Sequence, residues 1–167
     1  SVGSAPDVSA SVVGMFALAT AISGSTVLNM VIDSDIDSRM ARTAARPLPS
    51  GEMPVSSACV LGFVLSGAGV GTAWLLGPVF GAAVTTGLVF DVVIYSLWLK
   101  RRTPYSILVG GISGGMPAVA GRALATGSVD AVALLLGAGV VLWIPAHILT
   151  LAMKHAEEYE RAGVRGW

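Results

Sequence analysis

The stretch Asn29-Met30-Val31-Ile32-Asp33-Ser34-Asp35-Ile36-Asp37 places acids at the end of an apolar segment, residues 9–32. That segment is long enough to cross a bilayer, which takes roughly 20 apolar residues per helix. Asn29, Asp33 and Asp37 are spaced i, i+4, i+8, so all three share one face if the helix continues through them. Three oxygen-bearing groups at a membrane boundary suit a hard cation such as Mg²⁺, which takes oxygen ligands and often bridges to substrate phosphates. Arg39, Arg42 and Arg46 follow directly. Guanidiniums match phosphate oxygens, so acids beside arginines form the layout that binding a metal–diphosphate requires. The competing reading of the same residues is a charged loop that caps a helix and stays solvated.

The rest of the chain agrees with a membrane setting. Mean hydropathy is +0.77. Only 12% of residues are charged, against about a quarter in soluble domains. Five apolar blocks, 9–32, 55–76, 79–98, 107–125 and 131–152, are each of spanning length. The expected fold class is therefore all-α, a polytopic transmembrane helix bundle with no soluble domain. Glycine is abundant in every block, as close helix packing in lipid favours. A net charge of zero gives no basic excess for binding nucleic acid.

Nine of the ten Lys and Arg residues fall within 39–46, 100–102 and 154–165, while the connections near Gly77-Pro78 and 126–129 carry none. With five helices, the basic segments share one side, and the positive-inside rule makes that side cytoplasmic and the protein integral to the cell membrane. Arg122, near the outer end of the fourth block, is expected to snorkel outward. Cys59 is the single cysteine and is expected to be a packing residue. The chain starts at Ser1 and stops at Trp167 just after a charged run, so it reads as an excerpt of a longer protein.

Arg39, Arg42 and Arg46 recur at i, i+3, i+7 and would make one basic helical face, which Pro47 then ends. In the second basic loop, Tyr95-Ser96-Leu97-Trp98-Leu99-Lys100-Arg101-Arg102, the cations also serve as a topology signal and Trp98 as an interfacial anchor. Asp91 lies inside an apolar block, where ionisable residues are costly and are functional candidates by default. It could be a proton-bearing packing residue, a partner for a basic residue, or part of the site. Pro117, in the run Gly110 to Pro117, is expected to kink or break its helix. His147, after Trp143-Ile144-Pro145-Ala146, reads either as a hydrogen-bonded packing residue or as a base or iron ligand. Glu157-Glu158 sits in a charged helical end that is either solvated or a second metal-binding acid pair.

The run Asn29-x-x-x-Asp33-x-Asp35-Ile36-Asp37-x-x-Met40-x-Arg42-Thr43-x-x-Arg46-Pro47-Leu48-Pro49-Ser50-Gly51 resembles the first aspartate-rich motif of the UbiA superfamily of intramembrane prenyltransferases. Within it, the chain is most similar to the protoheme IX farnesyltransferase (heme o synthase) branch. Trp98-Leu99-Lys100-Arg101-Arg102-Thr103-Pro104, Gly110-Gly111-x-x-Gly114-x-x-Pro117, and Trp143-x-Pro145-x-His147 followed by Tyr159-x-Arg161-Ala162-Gly163-Val164 agree in the same order. The resemblance implies a bundle of about nine helices around a cavity open to the cytoplasm and to lipid. This chain would supply five of them as one domain, residues 1–167, without the first helix and the last three.

It also implies a chemistry. Asp33 and Asp37, with Asn29 assisting, would hold Mg²⁺ on the diphosphate of an isoprenyl donor. Lys100 and Arg101, with Arg42, Arg46 and Tyr95 as substrate-binding neighbours, would neutralise the leaving diphosphate. The allylic cation would be captured by a vinyl group of protoheme IX, giving a hydroxyethylfarnesyl heme, with His147 contacting the heme. Two departures bear on this. Most of the superfamily has a second Asp-x-x-x-Asp motif where this chain has His155 and Tyr159, leaving Glu157 and Glu158 to supply a second metal. The branch commonly reads Pro-Pro-His-Phe-Trp where this chain has Pro145-Ala146-His147-Ile148-Leu149. The alternatives are a UbiA relative acting on a quinone-ring or archaeal lipid precursor, a transporter using Asp91 and His147 as a relay, and an inactive scaffold. Chain length of the isoprenoid and oligomeric state are not encoded in any of these motifs.

Overall fold

The computed structural model describes residues 8–103 and 106–154, with side chains excepted at 145 and 148–154. Every regular element among them is helical: α1 (Val8–Ile32), the single-turn α2 (Ser34–Asp37), α3 (Val55–Leu76), α4 (Pro78–Leu88) running into a π-helix (Val89–Leu99), α5 (Ser106–Thr126) and α6 (Ala131–Lys154). The five long helical rods coincide with the five apolar blocks. Four are long and apolar enough to cross a membrane, and α6 is apolar over Ala131–Ile144.

Small residues set the packing. α1 lies most extensively on α3, α5 on α6, and α4 on α5. On the α1–α3 seam the buried positions are Ala17, Ala21, Gly24 and Leu28 facing Gly62, Ser66, Gly69 and Ala73. That is an i, i+4, i+7, i+11 spacing on both helices, the period of a packed helical stripe. A Cβ added at Gly69 would sit 2.5 Å from the Ala21 backbone nitrogen, and one at Gly24 would sit 2.4 Å from that of Ser66. The backbones therefore touch, which lets dispersion contacts hold helices together where lipid removes the hydrophobic drive. The centre of the bundle closes on Phe80, only 1% exposed, among Ala17, Ala21, Ala73, Val84, Val119 and Ala133.

Three expectations need correction. α5 runs unbroken through Pro117, so the proline does not end the helix. Residues 38–51 form a series of turns instead of a helix, so Arg39, Arg42 and Arg46 share no helical face. Arg122 does not simply snorkel. Its guanidinium grips Asp130 through Nε at 3.1 Å and Nη2 at 2.7 Å, while Asp130 Oδ1 accepts the Ala133 backbone N–H at 2.9 Å and so caps α6. Gly127, with φ +70°, makes the intervening turn in a conformation that disfavours a side chain.

The α1–α3 seam yields a paired test. Gly69→Ala should lower stability by about 1–3 kcal/mol, since backbone cannot yield to the new methyl. Gly67→Ala, two residues away with nothing within 4 Å of its Cβ position, should be neutral. Thermal unfolding of both variants in the same detergent measures the difference; equal melting points would refute backbone contact at Gly69.

Candidate functional site

α1 ends at Ile32, yet its hydrogen-bond ladder carries on past the bend. Asp33 N–H donates to the Asn29 carbonyl at 2.9 Å, and Asp37 N–H donates to the Asp33 carbonyl at 2.8 Å. Asn29, Asp33 and Asp37 thus keep the i, i+4, i+8 register across the break. Asp33 and Asp37 are buried, at 8% and 7% exposure. A buried carboxylate persists only with compensation, and each has it. Lys100 Nζ lies 2.5 Å from Asp33 Oδ2. Arg46 Nη1 lies 2.8 Å from Asp37 Oδ2. Thr43, buried, donates its hydroxyl to the Asp37 carbonyl at 2.8 Å and ties the turn to the same residue.

The third acid takes a different partner. Arg101 holds Asp35 through two parallel hydrogen bonds of 2.9 and 2.6 Å and donates a third, 2.7 Å, to the Ile32 carbonyl where α1 stops. Both side chains are about half exposed, so this clamp adds geometry more than energy. The Arg101 hydrogen bonds hold the Asp35 carboxyl below its ordinary pKa. For Lys100, burial is the largest single influence and works against the charge, but Asp33, Tyr95 and Asp37 together raise the ammonium above its usual value.

The π-helix makes these contacts possible. At about 100° per residue, an α-helix puts residues nine apart on opposite faces. Asp91 and Lys100 are nine apart, and both reach α1. Asn29 Nδ2 donates to Asp91 Oδ2 at 2.9 Å, Ser96 Oγ donates to Asn29 Oδ1 at 2.8 Å, and Lys100 meets Asp33. In a π-helix the backbone bond spans five residues, as from the Lys100 N–H to the Tyr95 carbonyl at 2.8 Å. Asp91 and Ser96, five apart, therefore fall near one face. Tyr95 and Lys100 do the same, with Nζ 5.8 Å from the ring centroid.

A cavity of about 390 Å³ opens beside this seam. Its apolar wall comes from Leu18, Ala21 and Ile22 of α1, Val84 and Leu88 of α4, and Met116 and Pro117 of α5. Its polar side comes from Ser25, Thr26, Asn29, Asp91 and Ser113. The result is an apolar chamber whose polar lining leads, through Asn29, to a charged end.

The chain's relatives can now be set beside that geometry. Residues 1–166 match the UbiA prenyltransferase family. The chain belongs to the UbiA prenyltransferase family. Among curated UbiA relatives, the protoheme IX farnesyltransferase of Korarchaeum cryptofilum is 40% identical over 148 residues, 89% of this chain and 50% of that protein. Its namesake in Pyrobaculum neutrophilum is 47% identical over 145 residues, 86% of this chain and 52% of that protein. The chain thus spans about half the length of these relatives. The same fold occurs in a UbiA homolog from Archaeoglobus fulgidus bound to GPP and Mg²⁺, with a TM-score of 0.74 at 18% identity over 95% of this chain and 56% of that one. A second structure, of a UbiA homolog from the same organism bound to DMAPP and Mg²⁺, gives the same score.

The sequence candidates divide accordingly. Asn29, Asp33, Asp37, Arg46, Tyr95 and Lys100 are gathered at the end of the α1–π seam. Arg101 lies beside them, committed to Asp35. Arg42 is exposed and pairs with no acid among the described residues. His147 is exposed on α6, its ring stacked on Trp143 at 4.9 Å and 10°, and is absent from the cavity lining. Glu157 and Glu158 lie outside the described residues. Ser96 carries no signal in a motif of acids and cations, and Thr43 stands in the quoted motif with no role its spacing reveals.

Among the described residues, no three His, Cys, Asp or Glu groups converge on a metal position. Mg²⁺ does not need them, since it is commonly held by one or two carboxylates together with waters and substrate phosphates. One atom fits that role: Asp33 Oδ1 is buried with no hydrogen-bond partner among the described residues, an orphan acceptor that a cation would satisfy.

Lys100→Met, which strands Asp33, should cost about 3 kcal/mol of stability, while Arg101→Met should cost less than about 1 kcal/mol. Because the Lys100 pKa is raised on folding, its contribution is complete below the unfolded lysine value and disappears only as pH climbs through the higher folded value. The gap between Lys100→Met and the parent should therefore match at about pH 6 and about pH 8. Denaturation at the two pH values checks it; a gap that closes by about pH 8 would refute the assignment.

Proposed function

We propose that this chain carries the donor-binding half of a prenyltransferase that moves a farnesyl or similar isoprenyl group from its diphosphate to a vinyl group of protoheme IX. The observation that carries the donor chemistry is the pairing of Asp33 with Lys100 and Asp37 with Arg46 at the end of an apolar cavity. The acceptor rests on curated relatives 40% and 47% identical that are named protoheme IX farnesyltransferases.

The roles follow from the chemistry of each group. Asp33 and Asp37, with Asn29, are the oxygen donors for Mg²⁺, and Glu157 and Glu158 are candidates for a second ion. The ion, when bound, supplies charge neutralisation to the diphosphate oxygens. Lys100 and Arg46 already lie on the acids, within reach of any anion bridged to the same metal. Their ammonium and guanidinium would stabilise the negative charge that grows on the leaving diphosphate. Arg101 keeps the end of α1 and the start of the second loop together through Asp35 and the Ile32 carbonyl. Arg42, exposed on the same side, would meet the diphosphate from solvent.

The apolar wall serves the other half of the donor. Leu18, Ile22, Val84, Leu88 and Met116 would surround an isoprenyl chain and keep water from an allylic cation. His147, stacked on Trp143, offers a flat surface on α6 to which a porphyrin could dock. The loops bearing Arg46, Lys100 and Arg101 share one end of the bundle, which we assign to the cytoplasmic side of the cell membrane on the positive-inside rule. A transporter reading fits less well, because its charged relay belongs at mid-membrane.

The test is turnover by the full-length protein in membranes supplied with protoheme IX, farnesyl diphosphate and Mg²⁺, with the heme product followed by mass. EDTA should abolish product, and Asp33→Ala should lower the rate by about 100-fold or more. His147→Ala should weaken heme capture and leave release of diphosphate to another acceptor intact. Full activity of Asp33→Ala would remove the metal assignment. Diphosphate release with an aromatic acceptor but none with protoheme would keep the transferase and remove the heme.

A further inference from the structure

Asp91 is the one acid of the membrane-spanning segments that no part of the diphosphate chemistry above uses. It is the third residue of the π-helix, lines the cavity, and pairs with no cation among the described residues. The Asn29 amide donates to its carboxylate at 2.9 Å. A carboxylate retained at such a place needs an explanation, since its burial costs free energy whether or not it is ionised.

The explanation lies in the direction the Asn29 amide faces. Nδ2 turns to Asp91 and donates to its Oδ2, so Oδ1 turns away from the carboxylate. Ser96 completes the arrangement by donating its hydroxyl to Oδ1 at 2.8 Å, from a side chain that is 1% exposed. Flipping the amide would press two acceptor oxygens together. Ser96 uses one of the two acceptor sites on Oδ1, leaving the other. Hydrogen bonding of Nδ2 to the Asp91 carboxyl oxygen also shifts electron density onto Oδ1, which makes it a better donor to a hard cation. Partners behind a ligand act in this way at metal sites generally, fixing orientation and raising basicity.

We propose that Asp91 and Ser96 are positioning residues that aim and polarise the Asn29 carbonyl oxygen toward the divalent cation, an inference that rests on the metal–diphosphate reading. The π-helix is the device that delivers both to Asn29 at once. In α-helical geometry, residues five apart diverge by about 140° at 100° per residue, and one amide could not take both.

The experiment is a Mn²⁺ titration of the full-length protein in nanodiscs with inorganic diphosphate present, reading free Mn²⁺ by electron paramagnetic resonance. Asp91→Asn, which keeps shape and removes charge, should weaken Mn²⁺ by about 10-fold at an unchanged melting temperature. In an Asn29→Ala background the same change should have no further effect, because Asp91 acts through that amide. Ser96→Ala, a smaller perturbation that tests the network should Asp91→Asn not fold, should weaken Mn²⁺ in the same direction. Unchanged affinity in Asp91→Asn or in Ser96→Ala would overturn the proposal. So would an equal loss with and without Asn29, which would make Asp91 a distant charge. A parent protein that takes up no Mn²⁺ would overturn this inference together with the metal–diphosphate reading, whereas normal uptake in every variant would overturn this inference alone.

Discussion

A carboxylate taken out of water at the edge of a membrane stays charged only when a cation faces it, and this requirement organises the end of the bundle. Asp33 and Asp37 sit below 10% exposure. Lys100 and Arg46 supply the facing charge that burial of each carboxylate requires. Those cations come from different segments, one from the end of the π-helix and one from the turns after α2. Neutralising two acids therefore fastens both basic loops to the end of α1. The Asp35–Arg101 clamp repeats the connection where solvent reaches it.

The scaffold beneath is made of residues chosen for what they lack. Ala17, Ala21 and Gly24 against Gly62, Ser66 and Gly69 leave only small side chains between α1 and α3 along this stretch, so the two backbones come into contact at Gly24 and Gly69. On its other side α1 meets α4, the π-helix and α5 less closely, and the space left there is the cavity. Close packing on one seam and open packing on the other give α1 a rigid back and a chambered front. Asn29, Asp33 and Asp37 stand at the end of the front.

The five spans were legible because hydropathy depends on composition alone, and a bilayer imposes one length on every block. The sharing of an end by the basic loops followed from counting Lys and Arg, and the Asp35–Arg101 and Asp33–Lys100 pairs agree with it. The acid register was legible because α1's ladder persists through the bend at Asp33. What sequence could not give was the π-helix. Val89–Leu99 has the apolar content of any spanning helix, and nothing in it marks a change from four-residue to five-residue hydrogen bonds. With α-helical spacing assumed, Asp91 and Lys100 fall on opposite faces, and Asp91 is stranded as an unexplained acid. At Pro117 the break, one of the two outcomes expected, does not occur: the lost N–H bond need not end a helix that neighbours hold on both sides.

The π-helix also explains how one element serves two charges of opposite sign. Lys100 must reach the buried Asp33, and Asp91 must reach the amide one turn earlier on α1. Two helices running the same way across a seam meet at positions that repeat with each helix's own period, and an α–α pair would bring only one of these residues to the contact. Widening one helix turns both ends of a nine-residue interval toward α1. The acids and cations there are then matched one to one: Asp33 with Lys100, Asp35 with Arg101 and Asp37 with Arg46. A constellation neutral by internal pairing can exist at a membrane edge without a ligand. It can also exchange partners at small net cost when a cation and a polyanion arrive together, because every charge that leaves its partner gains another of the same sign. Arg101 is the least free to exchange, since the Ile32 carbonyl holds it as well. Lys100 and Arg46, each bound to a single acid oxygen, are the cations the geometry leaves able to move.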